Sequence, residues 1–429
     1  MRLGGRLAAA IEILENIKNH NRPIKNTLKD WGISHRFAGS SDRAVISNIV
    51  YDSLRKRLSS CYLMNDDSSQ ALVYGIIFRE WGINPQELIH KLSSDHFAPP
   101  LPTQSMLSAF NSHQLKNAPD HIQADIPEWI KSSIQLNFGS SWLKEATELA
   151  QRPPLDLRTN ILKITREKLH KTLEHFKIGY STISQFGLRI PATQKESYLP
   201  KITTEISFHK GWFEIQDEGS QIASQLTAFT KGRQVLDFCA GGGGKTLALS
   251  MFMKNKGQIH AWDSDKSRIA PIIERIKRAG IHNVQVHSRL STLLPLQEHF
   301  DTVLIDAPCS GSGTWRRHPD MKWRLSEQSL EKRILQQETI INQASKFVKI
   351  NGHLIYVTCS ILPQENIIQI QKFLNTHPQF RIVPAIKDWH SLFDIKALQP
   401  HFFKDGGLNM TPASTNTDGF FFCKLKRHY

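Results

Sequence analysis

The chain has 429 residues, of which 54 are Lys or Arg and 39 are Asp or Glu, so its formal net charge is +15. This length exceeds what one hydrophobic core usually holds, and we therefore expect two or three domains. The positive charge indicates a polyanionic partner, with nucleic acid first and an anionic membrane surface second. No apolar run of about 18 residues is present, so no membrane-spanning helix is expected.

The five cysteines are odd in number and widely spaced, and no CxxC pair occurs. This pattern argues against a disulfide framework and against a zinc site, and we expect no bound metal. Cys61, Cys239 and Cys423 are expected to pack as small apolar side chains. The charged start of the chain lacks the apolar core of a signal peptide. We therefore expect a monomeric protein in the reducing cytoplasm.

Residues 1–130 are predicted to be helical. The segment RLAAAIEILENI spaces its apolar residues three and four positions apart, as one face of a helix requires. The segment SDRAVISNIVYDSLRKRL has the same pattern, and Ser41 is its expected cap. Prolines around 97–127 indicate a boundary. Residues 131–215 are predicted to form a small α/β module that mixes a helix with extended pieces, ISFHKGWFEIQ among them.

From residue 216 to 429, predicted strands and helices alternate. The strand candidates are QVLDF, QIHAWD, VQVH, TVLID and HLIYVT, and the tail GFFFCKLK adds one more. Short apolar runs between helical segments are typical of a parallel sheet with helices on both faces. The predicted fold class is therefore multidomain, with a C-terminal doubly wound, Rossmann-like α/β domain.

The stretch FCAGGGGKT ends like a nucleoside triphosphate loop. Such a loop needs a glycine five residues before the glycine that precedes lysine, and counting back from Gly244 reaches Cys239 instead. The alternative is a glycine turn between a strand that ends at Asp237 and a helix that begins at Thr246, which lets backbone amides approach a ligand closely. Asp263 ends the next strand, where such folds place a carboxylate on ribose hydroxyls. The pattern therefore favours an adenosyl ligand over a triphosphate.

Two further cysteines follow predicted strands at the same edge of the sheet. Cys309 lies in DAPCSGSG, shortly after Asp306, and Cys359 lies in VTCS. A thiolate that adds to carbon 6 of a pyrimidine makes carbon 5 nucleophilic, so that carbon 5 can accept a methyl group. Asp306 is the candidate acid for this addition, and the second thiol is a candidate base for the proton on carbon 5. The chemistry alone does not decide which cysteine attacks.

Four stretches together resemble the motif set of the RNA cytosine-5 methyltransferases of the NOL/NOP2/Sun type. They are VLDFCAGGGGKT, IDAPCSGSGTWRRHPDMKW, YVTCSILPQEN and DGFFFCKL. The stretches PLDLRTN and QDEGSQIASQL are similar to the upstream module of that family. SDRAVISNIVYDSLRKRL resembles the NusB-like helical domain of the branch that modifies small-subunit ribosomal RNA. The similarity thus spans almost the whole chain.

The resemblance implies a role for each motif residue. Cys359 is the nucleophile, Cys309 assists product release, Asp306 is the carboxylate at the strand end, and Asp263 binds the ribose of the methyl donor, S-adenosylmethionine. The loop that binds the methyl donor consists of Cys239, Ala240, Gly241, Gly242, Gly243, Gly244 and Lys245. The implied domains are a NusB-like RNA-binding domain at 1–130, an α/β RNA-binding module at 131–215 and a methyltransferase domain at 216–429.

Two positions depart from the family pattern. The family loop usually reads Ala-Pro where this chain has Gly241 and Gly242, which predicts a looser loop. The family often has an aspartate near the adenine after the third strand, where this chain has Arg289. Recognition of the adenine is therefore expected to differ at this point.

The expected substrate is RNA, and small-subunit ribosomal RNA in particular. The stretch GTWRRHPDMKWR offers cations for phosphate and two indoles that could stack on unpaired bases or, equally, lie in a core. These residues are Trp315, Arg316, Arg317, Lys322, Trp323 and Arg324. Three alternatives stay open: a transfer RNA substrate for the same chemistry, a non-catalytic RNA-binding factor in transcription or ribosome assembly, and, more distantly, an ATPase.

Overall fold

A computed structural model describes residues 1–195, 197–228, 233–394, 396 and 398–429. Its α-helices are α1 (Leu3–His20), α2 (Ile24–Ser34), α3 (Ser40–Arg55), α4 (Arg57–Met64), α5 (Ser69–Arg79), α6 (Pro85–Ser93), α7 (Gln104–Ser112), α8 (Asp120–Gln123), α9 (Lys131–Phe138), α10 (Trp142–Glu148), α11 (Arg166–Thr172), α12 (Ile206–His209), α13 (Glu218–Ala228), α14 (Gly244–Phe252), α15 (Lys266–Ile269), α16 (Ile272–Ala279), α17 (Pro319–Arg324), α18 (Glu327–Ala344), α19 (Ile367–Thr376), α20 (Ala385–Leu392) and α21 (Pro412–Thr415). Its strands are β1 (Leu155–Thr159), β2 (Gly179–Tyr180), β3 (Gly187–Ile190), β4 (Phe213–Ile215), β5 (Gln234–Asp237), β6 (Gln258–Trp262), β7 (Val284–His287), β8 (Phe300–Asp306), β9 (Val348–Thr358), β10 (Phe380–Val383), β11 (His401–Phe402), β12 (Leu408–Met410) and β13 (Phe420–Arg427). Within this described part of the chain, no helix combines the length and the apolar character that crossing a membrane requires.

The first compact unit is helical and comprises Met1–Pro153, Ala192–Leu199 and Trp315–Leu325. The apolar faces of α1, α3 and α5 meet in its core, as the three- and four-residue spacing of their apolar positions predicts. The expected cap at Ser41 is wrong. Helix α3 already begins at Ser40, its N-cap is Gly39 in an extended conformation, and no side chain caps it. Asp42 in its first turn instead stabilises the helix, because its negative charge lies near the positive end of the helix dipole.

The second compact unit comprises Pro154–Pro191, Pro200–Thr314 and Ser326–Tyr429. Its smaller sheet has the order β2-β3-β1-β4, and all neighbours in it are antiparallel. The stretch ISFHKGWFEIQ is only partly extended, because helix α12 precedes the short strand β4. The compact units separate the chain after Pro153, so α9 and α10 group with the helical unit. The finer division at 130 and 215 stays a prediction.

The larger sheet of the second unit has nine strands. Its order is β11-β12-β13-β9-β8-β5-β6-β7, and β10 also pairs with β13. Strands β5 to β9 are mutually parallel where they pair, as expected, but β13 runs antiparallel to β9, β10 and β12, so the sheet is mixed. The central strands β8 and β9 are buried and read VLI and LIYV in sequence, the composition of strands covered on both faces.

The segment Trp315–Leu325 belongs to the helical unit although its neighbours in sequence belong to the other unit. Trp315 is only 1% exposed, and the indole N–H of Trp323 donates to the carbonyl oxygen of Leu54 at 2.7 Å. Base stacking on Trp315 is therefore excluded by its burial. Lys322, a candidate phosphate contact, is 2% exposed and donates to the carbonyl oxygen of Arg55 at 3.2 Å. Arg316 is buried as well, whereas Arg317 is half-buried and Arg324 is exposed, so these two arginines are the cations of the segment that a phosphate could still reach.

Replacing Lys322 by methionine is expected to stabilise the protein at pH 6, by on the order of 1–3 kcal/mol after the loss of one hydrogen bond. Burial lowers the pKa of Lys322 from 10.5 to about 7. Between these two values the unfolded chain binds more protons than the folded one, so this residue makes stability rise with pH from about 7 to about 10. Urea unfolding at pH 6 and pH 10 measures the free energy of unfolding of both proteins. The excess stability of Lys322→Met over the wild type should shrink as pH rises. An excess that does not change with pH would show that Lys322 carries no costly buried charge.

Candidate active site

The expected site residues follow four parallel strands that are neighbours in the sheet. The spatial order is β6-β5-β8-β9, so the carboxyl ends of these strands lie along one edge. The chain order reverses between β5 and β8, and such a switch point opens a crevice at the carboxyl ends of strands. Asp237 ends β5, Asp263 follows β6, Asp306 ends β8 and Cys359 follows β9. The topology therefore brings together residues as far apart in sequence as Asp237 and Cys359.

The glycine turn after β5 has the conformation that glycine permits. Gly243 has φ +83°, and its N–H donates to the carbonyl oxygen of Ala240 at 2.8 Å. A Cβ atom at Gly243 would lie 2.4 Å from Cγ1 of Ile272, so no other residue fits without displacement. Helix α14 begins at Gly244, two residues before the predicted start at Thr246. The turn therefore leads directly into a helix N-terminus, where backbone amides are available to a ligand.

Two arginines brace the turn from the protein side. Arg158 on β1 donates to the carbonyl oxygen of Gly244 at 2.9 Å, and Arg275 on α16 donates to that of Gly242. Arg275 is itself held by Glu214 on β4 through an ion pair of 2.9 Å. The turn was expected to be looser than in the related family because of Gly241 and Gly242. The hydrogen bonds from Arg158 and Arg275 hold the carbonyl groups of Gly244 and Gly242 in position.

Three carboxylates and one lysine surround the turn. Asp263 is buried and accepts from the N–H of Gly241 at 2.9 Å, and Asp306 accepts from Lys245 Nζ at 2.7 Å. Asp237 accepts from the hydroxyl of Thr246 at 2.6 Å, which ties the end of β5 to α14. The second carboxylate oxygen of Asp237 is buried and has no hydrogen-bond partner among the residues that the structure describes.

The charge of this cluster favours a cationic ligand. Burial raises the pKa of Asp237 to about 7, and the nearby Asp306 and Asp263 act in the same direction. A triphosphate would add negative charge beside three carboxyl groups that are accompanied by two cations, Lys245 on Asp306 and Arg268 on Asp263. A sulfonium with an amino group would relieve their mutual repulsion. The donor set therefore fits S-adenosylmethionine and not ATP.

The two cysteines at the strand ends lie side by side. The Sγ atoms of Cys309 and Cys359 are 3.4 Å apart, and both side chains are partly exposed. The N–H of Gly313 donates to the carbonyl oxygen of Cys359 at 3.0 Å, which holds the two loops together. The hydrogen bond to Cys359, loss of solvation and the charge of Glu365 raise the pKa of Cys309 well above its ordinary value. The raised pKa favours the neutral thiol at Cys309, and either sulfur can be the donor in the contact between the two side chains.

The other cysteines lie away from this pair or face the core. Cys423 is fully buried on β13, and burial raises the pKa of its thiol to about 12. Cys61 belongs to the helical unit, and burial raises the pKa of its thiol to about 11. Cys239 packs against the core under the large sheet. These thiols behave as small apolar side chains, as expected from the sequence.

Sequence reasoning missed several residues of the site. Arg158, Arg275 and the open oxygen of Asp237 are among them, as is Glu365, a buried carboxylate between the two cysteine loops. For Asp237, the sequence does contain an indication, because this residue ends a predicted strand within the glycine motif. Arg289 follows β7 and is exposed, and its carbonyl oxygen accepts from the hydroxyl of Thr292 at 2.7 Å. No group of three or more His, Cys, Asp or Glu in the described ranges could hold a metal ion.

The comparisons with known proteins agree with this geometry. The family described as 16S rRNA methyltransferase RsmB/F matches residues 225–426, and the ferredoxin-like domain of RsmF/B-like methyltransferases matches residues 126–193. A relative from Synechocystis, described as a probable ribosomal RNA small subunit methyltransferase B, is 30% identical over 316 residues. That alignment covers 71% of this chain and 67% of the relative.

Solved structures of low identity share the fold. A methyltransferase homolog protein from Pyrococcus horikoshii is 23% identical, with a TM-score of 0.59 over 72% of this chain and 97% of that one. The structure of NSun6 from the same organism with SFG is 19% identical, with a TM-score of 0.60 over 71% of this chain and 98% of that one. The family match and the curated relative are decisive: this chain belongs to the RsmB/F family of S-adenosylmethionine-dependent RNA methyltransferases.

Proposed function

We propose that the protein transfers a methyl group to carbon 5 of a cytosine in small-subunit ribosomal RNA. The observation that carries the proposal is the pair of thiols, 3.4 Å apart, at the strand ends next to the glycine turn. An enzyme that forms and then breaks a covalent bond to its substrate can use one thiol for each of these two steps. The description of the Synechocystis relative supports ribosomal RNA as the substrate.

In the proposed reaction, Cys359 Sγ adds to carbon 6 of the cytosine. The raised pKa of Cys309 supports this assignment, because it favours the neutral thiol at Cys309 and so favours Cys359 as the thiol that attacks. Addition makes carbon 5 nucleophilic, and S-adenosylmethionine, when bound, supplies a methyl group activated on sulfur. Once Cys309 has released its own proton to solvent, its thiolate takes the proton from carbon 5. Cys359 then leaves carbon 6 as a thiolate, and the aromatic ring is restored.

Asp306 and Lys245 form the proton-donating pair of this proposal. Lys245 Nζ lies 2.7 Å from Asp306 Oδ2, and the lysine side chain is buried while the carboxylate is one-third exposed. A cytosine that enters the crevice would meet the exposed side of Asp306. Its ring nitrogen N3 can exchange a proton with this carboxyl group. The same carboxylate, together with Asp263, is proposed to bind the methyl donor.

Replacing Asp306 by asparagine is expected to lower kcat by about 10²–10⁴-fold, because proton transfer to the ring would lose its positioned group. The Kd for S-adenosylmethionine, measured by calorimetry, should change by less than about 10-fold, since Asp237 and Asp263 remain. Asp265→Asn is the matched control: it removes a carboxylate at the same edge, and asparagine preserves the cap that Asp265 provides to α15. Equal losses in kcat for both variants would contradict a specific role of Asp306.

RNA contacts are proposed for both the helical domain at 1–130 and the module at 131–215. In the small sheet, Tyr180 is exposed, His170 stacks on its ring at 4.6 Å, and the guanidinium of Arg166 lies 4.6 Å from the ring centre. Lys168 and Lys171 are exposed on the same helix, α11. An exposed aromatic ring among cations is the surface that binds unpaired RNA in other proteins.

The experiment that tests the proposal is methyl transfer from labelled S-adenosylmethionine to protein-free small-subunit ribosomal RNA and, separately, to transfer RNA. The product should be 5-methylcytidine in the ribosomal RNA, identified by mass spectrometry of the digested nucleosides. 5-Methylcytidine in transfer RNA alone would establish the same chemistry on the other substrate. Binding of RNA without transfer to either would favour the non-catalytic RNA-binding factor.

A further inference from the structure

A fully buried carboxylate, Glu365, lies beneath the two cysteine loops. Its Oε1 accepts from the backbone N–H of Ser310 at 2.7 Å and from Gln337 Nε2 at 3.0 Å. Its Oε2 accepts from the hydroxyls of Ser310 and Ser360, the latter at 2.6 Å. Its own carbonyl oxygen accepts from the hydroxyl of Tyr356 at 2.9 Å. In the part of the chain that is described, this carboxylate therefore has four donors and no ion-pair partner.

The donors belong to the loops that carry the thiols. Ser310 directly follows Cys309, and Ser360 directly follows Cys359. Gln337 also donates to the carbonyl oxygen of Pro308 at 3.0 Å, so it fixes the residue that precedes Cys309 as well. One side chain thus joins two loops that are 50 residues apart in sequence, at positions adjacent to both sulfur atoms.

The bonds suit a carboxylate and no neutral side chain of the same shape. A glutamine at position 365 has one acceptor oxygen, which could keep the bonds from Ser310 N–H and Gln337. Its NH₂ group would then face two hydroxyls that now donate. Ser360 Oγ already accepts from the N–H of Leu362 at 3.0 Å and lies 2.9 Å from Ser312 Oγ, so little acceptor capacity is left there. The loop of Cys359 would have to move away to relieve this mismatch.

We propose that Glu365 is a positioning residue that sets the distance between Cys309 and Cys359 by binding the serine after each of them. The proposal rests on the proposed function for its catalytic consequence, because both thiols must reach one base. The effect of Glu365 on the distance between the two sulfur atoms does not depend on which substrate the protein methylates. The negative charge of Glu365 is also one of the causes that keep Cys309 protonated.

The first readout is therefore a reaction of the thiols alone, on the full-length protein without RNA. Diamide takes two electrons and two protons from Cys309 and Cys359 and becomes the hydrazide, while the sulfur atoms form a disulfide. The rate of this step, followed by peptide mass mapping, reports how often the sulfur atoms come within bonding distance and what fraction of the thiols is ionised. Loss of the charge of Glu365 favours ionisation of Cys309 and so acts against a slower rate, which means that a slower rate reports the distance. Cys309→Ala cannot form the disulfide and gives the background. We expect Glu365→Gln to slow disulfide formation between Cys309 and Cys359 at least 10-fold.

The second readout is methyl transfer by the same variant. Glu365→Gln should lower kcat at least 10-fold, while KM for S-adenosylmethionine stays within about 3-fold, because the glycine turn is not involved. Glu338→Gln, an exposed change on α18 next to Gln337 in sequence, is the matched control and should leave both readouts at the wild-type level. If Glu365→Gln does not fold, Ser310→Ala removes one hydroxyl only and should slow disulfide formation about 3-fold or more.

The outcomes separate this proposal from the proposed function. Slower disulfide formation in Glu365→Gln, in a protein that methylates no RNA, would support the positioning role and overturn the proposed function. A wild-type disulfide rate in both Glu365→Gln and Ser310→Ala would overturn the positioning role, whatever happens to kcat. A lower kcat with an unchanged disulfide rate would likewise show that Glu365 acts in some other way.

Discussion

Cys359→Ala is expected to abolish methyl transfer, with a loss of at least about 10⁴-fold in kcat, while the Kd for S-adenosylmethionine stays at the wild-type value. The reason is that carbon 5 of cytosine becomes nucleophilic only after a thiolate adds to carbon 6, and the proposed function assigns that addition to Cys359. The glycine turn and its carboxylates do not contact Cys359 through any hydrogen bond that the structure records for the described residues. Labelled methyl transfer and calorimetry measure the two quantities.

Cys309→Ala should give a different result from Cys359→Ala. Without the second thiol the adduct forms but does not resolve, so a covalent complex of protein and RNA should accumulate and survive denaturing electrophoresis. Cys61→Ala, in the helical unit, is the control and should behave like the wild type. A trapped adduct in Cys359→Ala and an inactive Cys309→Ala without adduct would exchange the two roles. Such a result would mean that the thiol with the raised pKa is nevertheless the one that attacks.

The central sheet could be predicted because its signal is local. The runs VLD, IHAW, VLID and LIYVT are short, apolar and rich in β-branched residues, and each stands before a turn or an amphipathic segment. The rule that parallel strands gather their carboxyl ends at one edge then placed Asp263, Asp306, Cys309 and Cys359 near one another. The catalytic roles of these residues remain predictions, since geometry shows proximity and not reaction.

What could not be predicted depends on contacts between distant segments. Trp315 looks like an RNA-stacking residue among cations, and only its packing inside the helical unit shows otherwise. Glu365 looks like an ordinary acidic residue at a helix start, and nothing near it in sequence indicates that Ser310, 55 residues away, donates to it. The mixed direction of the large sheet has the same origin, because β13 reads like any other strand until its antiparallel pairing with β9 is known.

Gly243→Ala is expected to weaken binding of S-adenosylmethionine by about 10–100-fold. The φ of +83° costs a residue with a Cβ about 1–2 kcal/mol, and that Cβ would lie 2.4 Å from Ile272 Cγ1. Ile272 is fully buried at the start of α16, so its side chain cannot easily move away from an added Cβ atom. The turn must therefore open, which moves the amides and Asp263 away from the ligand.

Gly242→Ala is the matched control, because the two substitutions add the same methyl group one residue apart. The φ of Gly242 is not positive, and a Cβ there would lie 3.1 Å from the guanidinium of Arg275, a contact that a shift of a few tenths of an ångström in this side chain relieves. Calorimetry with S-adenosylmethionine should therefore show a Kd within about 3-fold of the wild type for Gly242→Ala and a large loss for Gly243→Ala. Equal affinities in both variants would mean that the turn adapts to a side chain, and that the ligand is held by the carboxylates around the turn and not by its backbone.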